Sequence, residues 1–430
     1  MKTIKTLVFP FLLLLASIWS CKKEEIKEEV KPNIPEKLVN IDPTVTYQKI
    51  SGYGAANRMW GTQSLLPAEA QKAFGTGSDE LGLSIFRVRL SSDKAEWPII
   101  IQAVKEANTR GVKVLASPWS PPAAFKSNNS TVRGYLLPEK YTAFKEYINE
   151  FIQFMADNGA IIDVVSIQNE PDWKPNYESC DWVADDFINF LKAPGEIVGA
   201  KVAGPESLNF NQEFTNTILQ DPVASQKLDI VAGHIYGSGL APFPLAEQQN
   251  KEIWMTEYLL NLDTGNAGAA AWSTYTESTK WLESIKMLES VHEAMINNWN
   301  AYIWWYLQRY YSFIGDGEQG TTNGAVLKRG VAFSHYAKFI RPGSQRIKTE
   351  LSANNDLKVT AYINGNQTII ELLNAKTYDI NNVTLTGVTA KSVEAYTTTI
   401  LETQSKVTGD PNKLNFNIPA NGITTVVITN

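Results

Sequence analysis

Between about residues 39 and 342, short apolar runs recur along the chain, and nearly every one ends in polar residues. The runs are residues 52–55, 85–90, 112–117, 164–167, 201–203, 230–232, 253–255 and 302–305. Near-continuous apolar stretches of this length read as strands covered on both faces, the signature of a parallel sheet. Between them lie helical patterns at residues 99–109, 141–155 and 278–297. In the middle one Phe144, Ile148, Phe151, Ile152 and Met155 fall on one face. Eight strands alternating with helices predict an α/β fold, a (β/α)8 TIM barrel over residues 39–342. A doubly wound open sheet is the competing reading. It fits less well, because no glycine-rich dinucleotide fingerprint follows the first run.

After residue 342 the period changes. Segments 357–363, 368–372 and 424–429 alternate polar and apolar positions, and Asn364-Gly365 and Asn421-Gly422 mark turns. An all-β side module over residues 343–430, of the β-sandwich kind, is expected. Residues 45–50, ahead of the barrel, are placed to add a strand to it.

The N-terminal stretch is different again. Lys2 and Lys5 precede an apolar run from Leu7 to Trp19, too short to span a membrane and laid out like an export signal. Cys21 follows Ile18-Trp19-Ser20 and resembles the acylated cysteine of a bacterial lipobox, so residues 1–20 read as a lipoprotein signal peptide. Residues 21–38, charged and dotted with proline, read as a solvated tether. These features predict an exported protein held by lipid at the bacterial outer membrane or cell surface, with periplasmic or secreted forms as alternatives.

Composition narrows the partners. A net charge of −6 and the lack of a basic stretch interleaved with aromatics exclude nucleic acid. Twelve Trp and seventeen Tyr suit either sugar stacking or a well-packed barrel. With three His and no ligand-like spacing, no metal and no cofactor are expected. A monomer is expected.

The candidate chemistry lies in two glutamates. Glu170 follows the fourth apolar run in Gln168-Asn169-Glu170-Pro171, and Glu257 follows the seventh in Thr256-Glu257-Tyr258. Strand ends of a closed barrel share one mouth, so the two carboxylates can be neighbours. Paired carboxylates are the minimal equipment for glycoside hydrolysis: one protonates the leaving oxygen and the other attacks the anomeric carbon. A surface protein that holds glycan without cutting it is the alternative from another class. It needs neither glutamate.

The motifs GYGAANRMWG (52–61), RVRLSSD (87–93), ASPWSPPAAFK (116–126), SIQNEPDW (166–173), GHIYG (233–237), WMTEY (254–258), YIWWYLQRYY (302–311) and KRGVAFSHYAKFIRPG (328–343) resemble glycoside hydrolase family 30. The last two resemble its bacterial glucuronoxylanase branch. The resemblance implies a retaining endo-β-1,4-xylanase acting on xylan, with Glu257 as nucleophile and Glu170 as acid/base. It implies that Asn169 bonds the sugar 2-OH, that Tyr236 orients the nucleophile, and that Trp119 and Trp173, and more weakly Trp60 and Trp305, stack on sugar. Arg309 would pair with the carboxylate of a 4-O-methylglucuronic acid branch, with Tyr311 as a second contact. Two departures stand out: Leu259-Leu260-Asn261 replace a tyrosine-rich segment after Tyr258, and the loop 312–324 is long. A β-glucosidase or glucosylceramidase type, or a β-1,6-glucanase, is the alternative within the family.

Overall fold

The computed structural model describes residues 37–61, 64–261, 270–353 and 355–430. The expected signal peptide, Cys21 and most of the tether lie outside the described residues. No helix among the described residues is long and apolar enough to cross a membrane.

The chain enters through β1 (Lys37–Lys49) and then builds eight strands: β2 (Gly52–Ala56), β3 (Ile85–Leu90), β4 (Lys113–Pro118), β5 (Val164–Ser166), β6 (Lys201–Ser207), β7 (Ile230–His234), β8 (Glu252–Glu257) and β9 (Ala301–Trp304). These pair in parallel, each with the next, and β9 returns to β2 to close the barrel. The competing open sheet is thereby ruled out. Closure explains the unbroken apolar runs. One face of each strand fills the interior with Ile85, Leu115, Val164, Ile230, Trp254 and Ile303, and the other packs under the helices. In the helix Tyr141–Asp157, Phe144, Ile148, Phe151, Ile152 and Met155 are all buried, as their spacing requires. Gly54 has no room for a side chain, since a Cβ there would lie 2.2 Å from the carbonyl oxygen of Ile85.

Eight further strands follow: β10 (Gln345–Leu351), β11 (Lys358–Asn364), β12 (Gln367–Asn374), β13 (Ile380–Thr386), β14 (Ser392–Thr398), β15 (Ser405–Thr408), β16 (Asn415–Ile418) and β17 (Gly422–Thr429). With β1 they make one nine-stranded sheet around a separate apolar core that includes Val39, Ile41, Ile347, Ile370, Val383 and Val426. Strand β1 runs antiparallel to β10 on one side and parallel to β13 on the other. Gly365, with φ of 60°, makes the tight turn between β11 and β12.

The sheet is tied to the barrel by buried polar contacts. His335, on the helix Lys328–Phe339, lies 2.7 Å from Thr425 Oγ1 through Nδ1 and 2.7 Å from Thr398 Oγ1 through Nε2. Burial, with Lys338 and Lys328 nearby, pushes this imidazole down to about 3. An unfolded chain binds a proton here below its ordinary value of about 6.5, and the native chain does not. Stability contributed by the neutral ring is therefore lost as pH falls from about 6.5 towards about 3, at ~1.4 kcal/mol per pH unit. His335→Gln is expected to lower stability near pH 7, yet to lose about 1–2 kcal/mol less than wild type between about pH 6 and about pH 4.5. Denaturant unfolding at both pH values checks this, and parallel curves would rule it out.

Candidate active site

The C-terminal ends of the barrel strands converge on one polar cluster. Arg87 lies within β3, Asn169 and Glu170 lie three and four residues beyond the end of β5, Glu206 lies in β6, His234 ends β7 and Glu257 ends β8. Register places His234 opposite Glu257 across the β7–β8 pair. Glu170 turns out of its strand with φ of 44°, a left-handed conformation unusual for a residue with a side chain. Its N–H donates to the carbonyl of Glu206 at 3.1 Å, and the Asn169 N–H donates to that of Pro118 at 2.8 Å, so the exit of β5 is held from both sides.

Arg87 is the hub. It is fully buried, and its guanidinium donates to Glu257 Oε2 at 2.5 Å, to Asn169 Oδ1 at 2.7 Å and to Ser117 Oγ at 3.2 Å. Its Nη2 also lies 3.2 Å from Glu206 Oε1. Burial works against its charge, but Glu206 and Glu257 outweigh that and raise its proton affinity above the ordinary arginine range. Glu257 accepts a second hydrogen bond from the Tyr236 hydroxyl at 2.8 Å. Burial, then the charges of Glu257 and Glu170, keep that phenol protonated. Glu170 Oε1 lies 2.9 Å from His234 Nδ1. One carboxylate oxygen of Glu170, one of Glu257 and a ring nitrogen of His234 lie within 4.8 Å of one another. Three such atoms could in principle hold a cation, but Arg87 already brings a positive charge onto Glu257, so the cluster reads as a set of ion pairs.

Above the carboxylates opens a cleft of about 810 Å³, lined by Trp60, Trp119, Asn169, Glu170, Trp173, Tyr177, Leu208, Tyr236, Glu257, Leu259 and Trp305. Trp119 is only 2% exposed and packs 5.0 Å from the Arg87 guanidinium, so it is the floor of the cleft. Trp60 and Trp173 are 43% and 46% exposed and form its accessible walls. Trp60, Trp119 and Trp305 contact one another through edges and tilted faces at 5.3–6.5 Å. Every sequence-predicted residue at this mouth is thus gathered in one place except Arg309 and Tyr311. Arg309 Nη1 pairs with Asp316 at 3.2 Å and Glu318 at 3.1 Å. Tyr311, 7% exposed, lines a separate cavity of about 380 Å³ beside Trp272, Trp281 and Arg329.

Comparison with known proteins bears on this arrangement. No protein-family model matches the chain. Glucuronoxylanase XynC of Bacillus subtilis (strain 168) is 31% identical over 415 residues, spanning 92% of this chain and 94% of the relative. The chain belongs to glycoside hydrolase family 30. The crystal structure of a family 30 subfamily 8 xylanase, Xyn30A of Clostridium acetobutylicum, superposes with a TM-score of 0.80 at 30% identity, covering 91% of this chain and 99% of that one. A family 30 endoxylanase of Clostridium papyrosolvens C71 gives 0.77 at 27% identity, over 91% and 100%. This family 30 member is therefore a glycoside hydrolase, and a barrel with a β side module is the architecture of its relatives.

Sequence reasoning missed roles for Arg87, Glu206, His234 and Tyr177. An arginine inside a run buried on both faces was a usable signal, because such a charge must be paired. Arg87→Met leaves Glu257 and Glu206 buried without their shared cation and is expected to destabilise the enzyme by about 3–5 kcal/mol. Chemical denaturation at neutral pH checks this. A loss under ~1 kcal/mol would show that water replaces the guanidinium.

Proposed function

We propose that this family 30 enzyme is a retaining endo-β-1,4-xylanase acting on glucuronoxylan, with Glu257 as nucleophile and Glu170 as acid/base. The observation that carries the mechanism is the spacing of the two carboxylates. Oxygens within 4.8 Å of each other fit the short separation of retaining pairs, about 5–5.5 Å between carboxyl groups, better than the about 6.5–9.5 Å of inverting pairs. The similarity to bacterial xylanases supports the substrate.

In the first step a Glu257 oxygen bonds to the anomeric carbon while the glycosidic C–O bond breaks, and Glu170 gives its proton to the leaving oxygen. In the second, water attacks the same carbon, Glu257 departs as carboxylate, and Glu170 takes the water's proton. Arg87 and Tyr236 fix the nucleophile by hydrogen bonds to its two different oxygens. Asn169 spends its Oδ1 on Arg87, which leaves its Nδ2 to donate to the sugar 2-OH. Of the five charged or titratable groups Arg87, His234, Glu206, Glu257 and Glu170, the set is neutral when both bases are charged and Glu170 carries its proton. That is the form a general acid needs. Trp60, Trp119, Trp173 and Trp305 offer ring faces and edges to the sugars of an extended chain.

Branch recognition follows from Arg309. Of its two carboxylate partners the Asp316 side chain is fully buried and that of Glu318 is 57% exposed, so a uronate carboxylate would take the place of Glu318 while Asp316 stays. A guanidinium accommodates two carboxylates because its donors form a fork. Tyr311 would be the neighbouring contact.

Product analysis on xylan tests the mechanism. Glu257→Gln is expected to abolish cutting, and Glu170→Gln to slow it by about 10²–10⁴-fold. Proton NMR of the first products should show the β anomer. An α anomer would refute the retaining reading, and absence of cutting on any xylan would move the assignment to glucosides. Arg309→Ala is expected to cost about 10–100-fold on glucuronoxylan and little on a neutral xylan, the worth of a charge-assisted pair. Equal losses on the two polymers would reduce Arg309 to a rim ion pair.

A further inference from the structure

The proposed reaction employs Glu170 and Glu257, yet the barrel mouth contains a third carboxylate that no substrate can reach. Glu206 is 0% exposed. An ionised carboxylate in such a place must be balanced, and two basic groups face it: Arg87 Nη2 at 3.2 Å and His234 Nε2 at 3.9 Å. The second is a charge contact rather than a hydrogen bond. Burial opposes ionisation, but Arg87 first and His234 next pull the Glu206 carboxyl down to about 2.

His234 lies between the two glutamates. Its Nδ1 faces Glu170 at 2.9 Å, its Nε2 faces Glu206, and the Tyr236 ring meets it edge-on at 6.2 Å. Burial favours the neutral ring, but the Glu257 charge, the hydrogen bond to Glu170 and Glu206 raise it to about 9. The other two histidines behave in the opposite way: burial holds His292 down to about 4 and His335 to about 3. Glu206 also reaches Glu170 through the main chain, by the carbonyl that accepts the Glu170 N–H.

We propose that Glu206 is a positioning residue for proton transfer: its buried carboxylate keeps His234 as an imidazolium, and that cation fixes the Glu170 carboxyl and steadies the carboxylate left when the proton departs. The inference rests on Glu170 being the acid/base. No proton moves to or from His234 in either step. It stays charged while Glu170 alternates between acid and carboxylate, and removing Glu206 leaves Glu170 beside a neutral ring that does less for the anion.

The test uses the full chain labelled with 15N-histidine, as wild type and as Glu206→Gln. In wild type near pH 7.5, NMR is expected to show one doubly protonated imidazole and two neutral ones. In Glu206→Gln the pH at which that ring gives up its second proton should fall by at least about one unit, a 10-fold or greater loss of proton affinity followed by titration. Kinetics give a readout that a merely structural role would not move. Turnover of xylan by Glu206→Gln should fall about 10–100-fold, whereas the glycosylation burst on a dinitrophenyl xyloside, whose leaving group needs no proton, should change by less than about 3-fold. A neutral His234 in wild type, an unshifted His234 titration in the variant, or equal losses on both substrates would each overturn the proposal. The wild-type spectrum suffices for the first even if the variant does not fold. Failure of the underlying assignment shows separately: Glu170→Gln would then lose as much on the dinitrophenyl xyloside burst as on xylan.

Discussion

Everything at the mouth of this barrel depends on one guanidinium removed from water. Arg87 brings together groups from four strands: Ser117 of β4, Asn169 beyond β5, Glu206 of β6 and Glu257 of β8. The fork has fixed donor directions, so each partner is held at an angle as well as a distance. A buried cation of this kind is tolerable only because the carboxylates are there, and they are tolerable only because of it. The consequence is a nucleophile whose rotamer is settled before any sugar arrives.

The barrel makes that convergence possible at low cost in flexible structure. Parallel strands all finish at one end, and β5, β6, β7 and β8 are neighbours in the ring, so four successive C-termini supply Glu170, Glu206, His234 and Glu257. Helices and interior side chains seal both faces of these strands, which keeps water from screening the charges beneath the cleft. The aromatic walls above are more open. Trp60 and Trp173 are partly solvated, while Trp119 is committed to packing over Arg87 and Trp305. Rigid chemistry thus sits below an adaptable sugar track.

Much of this was legible in the residues, and the gaps have physical causes. Eight strands and the two glutamates could be read because burial on both faces leaves an apolar signature, and because a polar residue ending such a run is conspicuous. Glu206 escaped because Gly204-Pro205 looks like a strand breaker. In the structure β6 continues through both to Ser207. His234 escaped because histidines were weighed as metal ligands, whereas its partners are carboxylates remote in sequence. For Arg309 the motif pointed to an acidic partner. Only the folded loop reveals that Asp316 and Glu318 already answer it. Pairings of charge across long sequence distance leave no period in a chain, and so the electrostatics had to await coordinates.

The position of β1 has a further consequence, for biosynthesis. This strand precedes the barrel in the chain but is hydrogen-bonded between β10 and β13, whose pairing with it extends to Thr386. A ribosome delivers β1 before any of the barrel and its two neighbours after all of it. β1 therefore has to wait for both neighbours while some three hundred residues are made behind it. The barrel can collapse in the meantime, but its attachment to the sheet is a late event, and β1 matures together with strands made after the barrel.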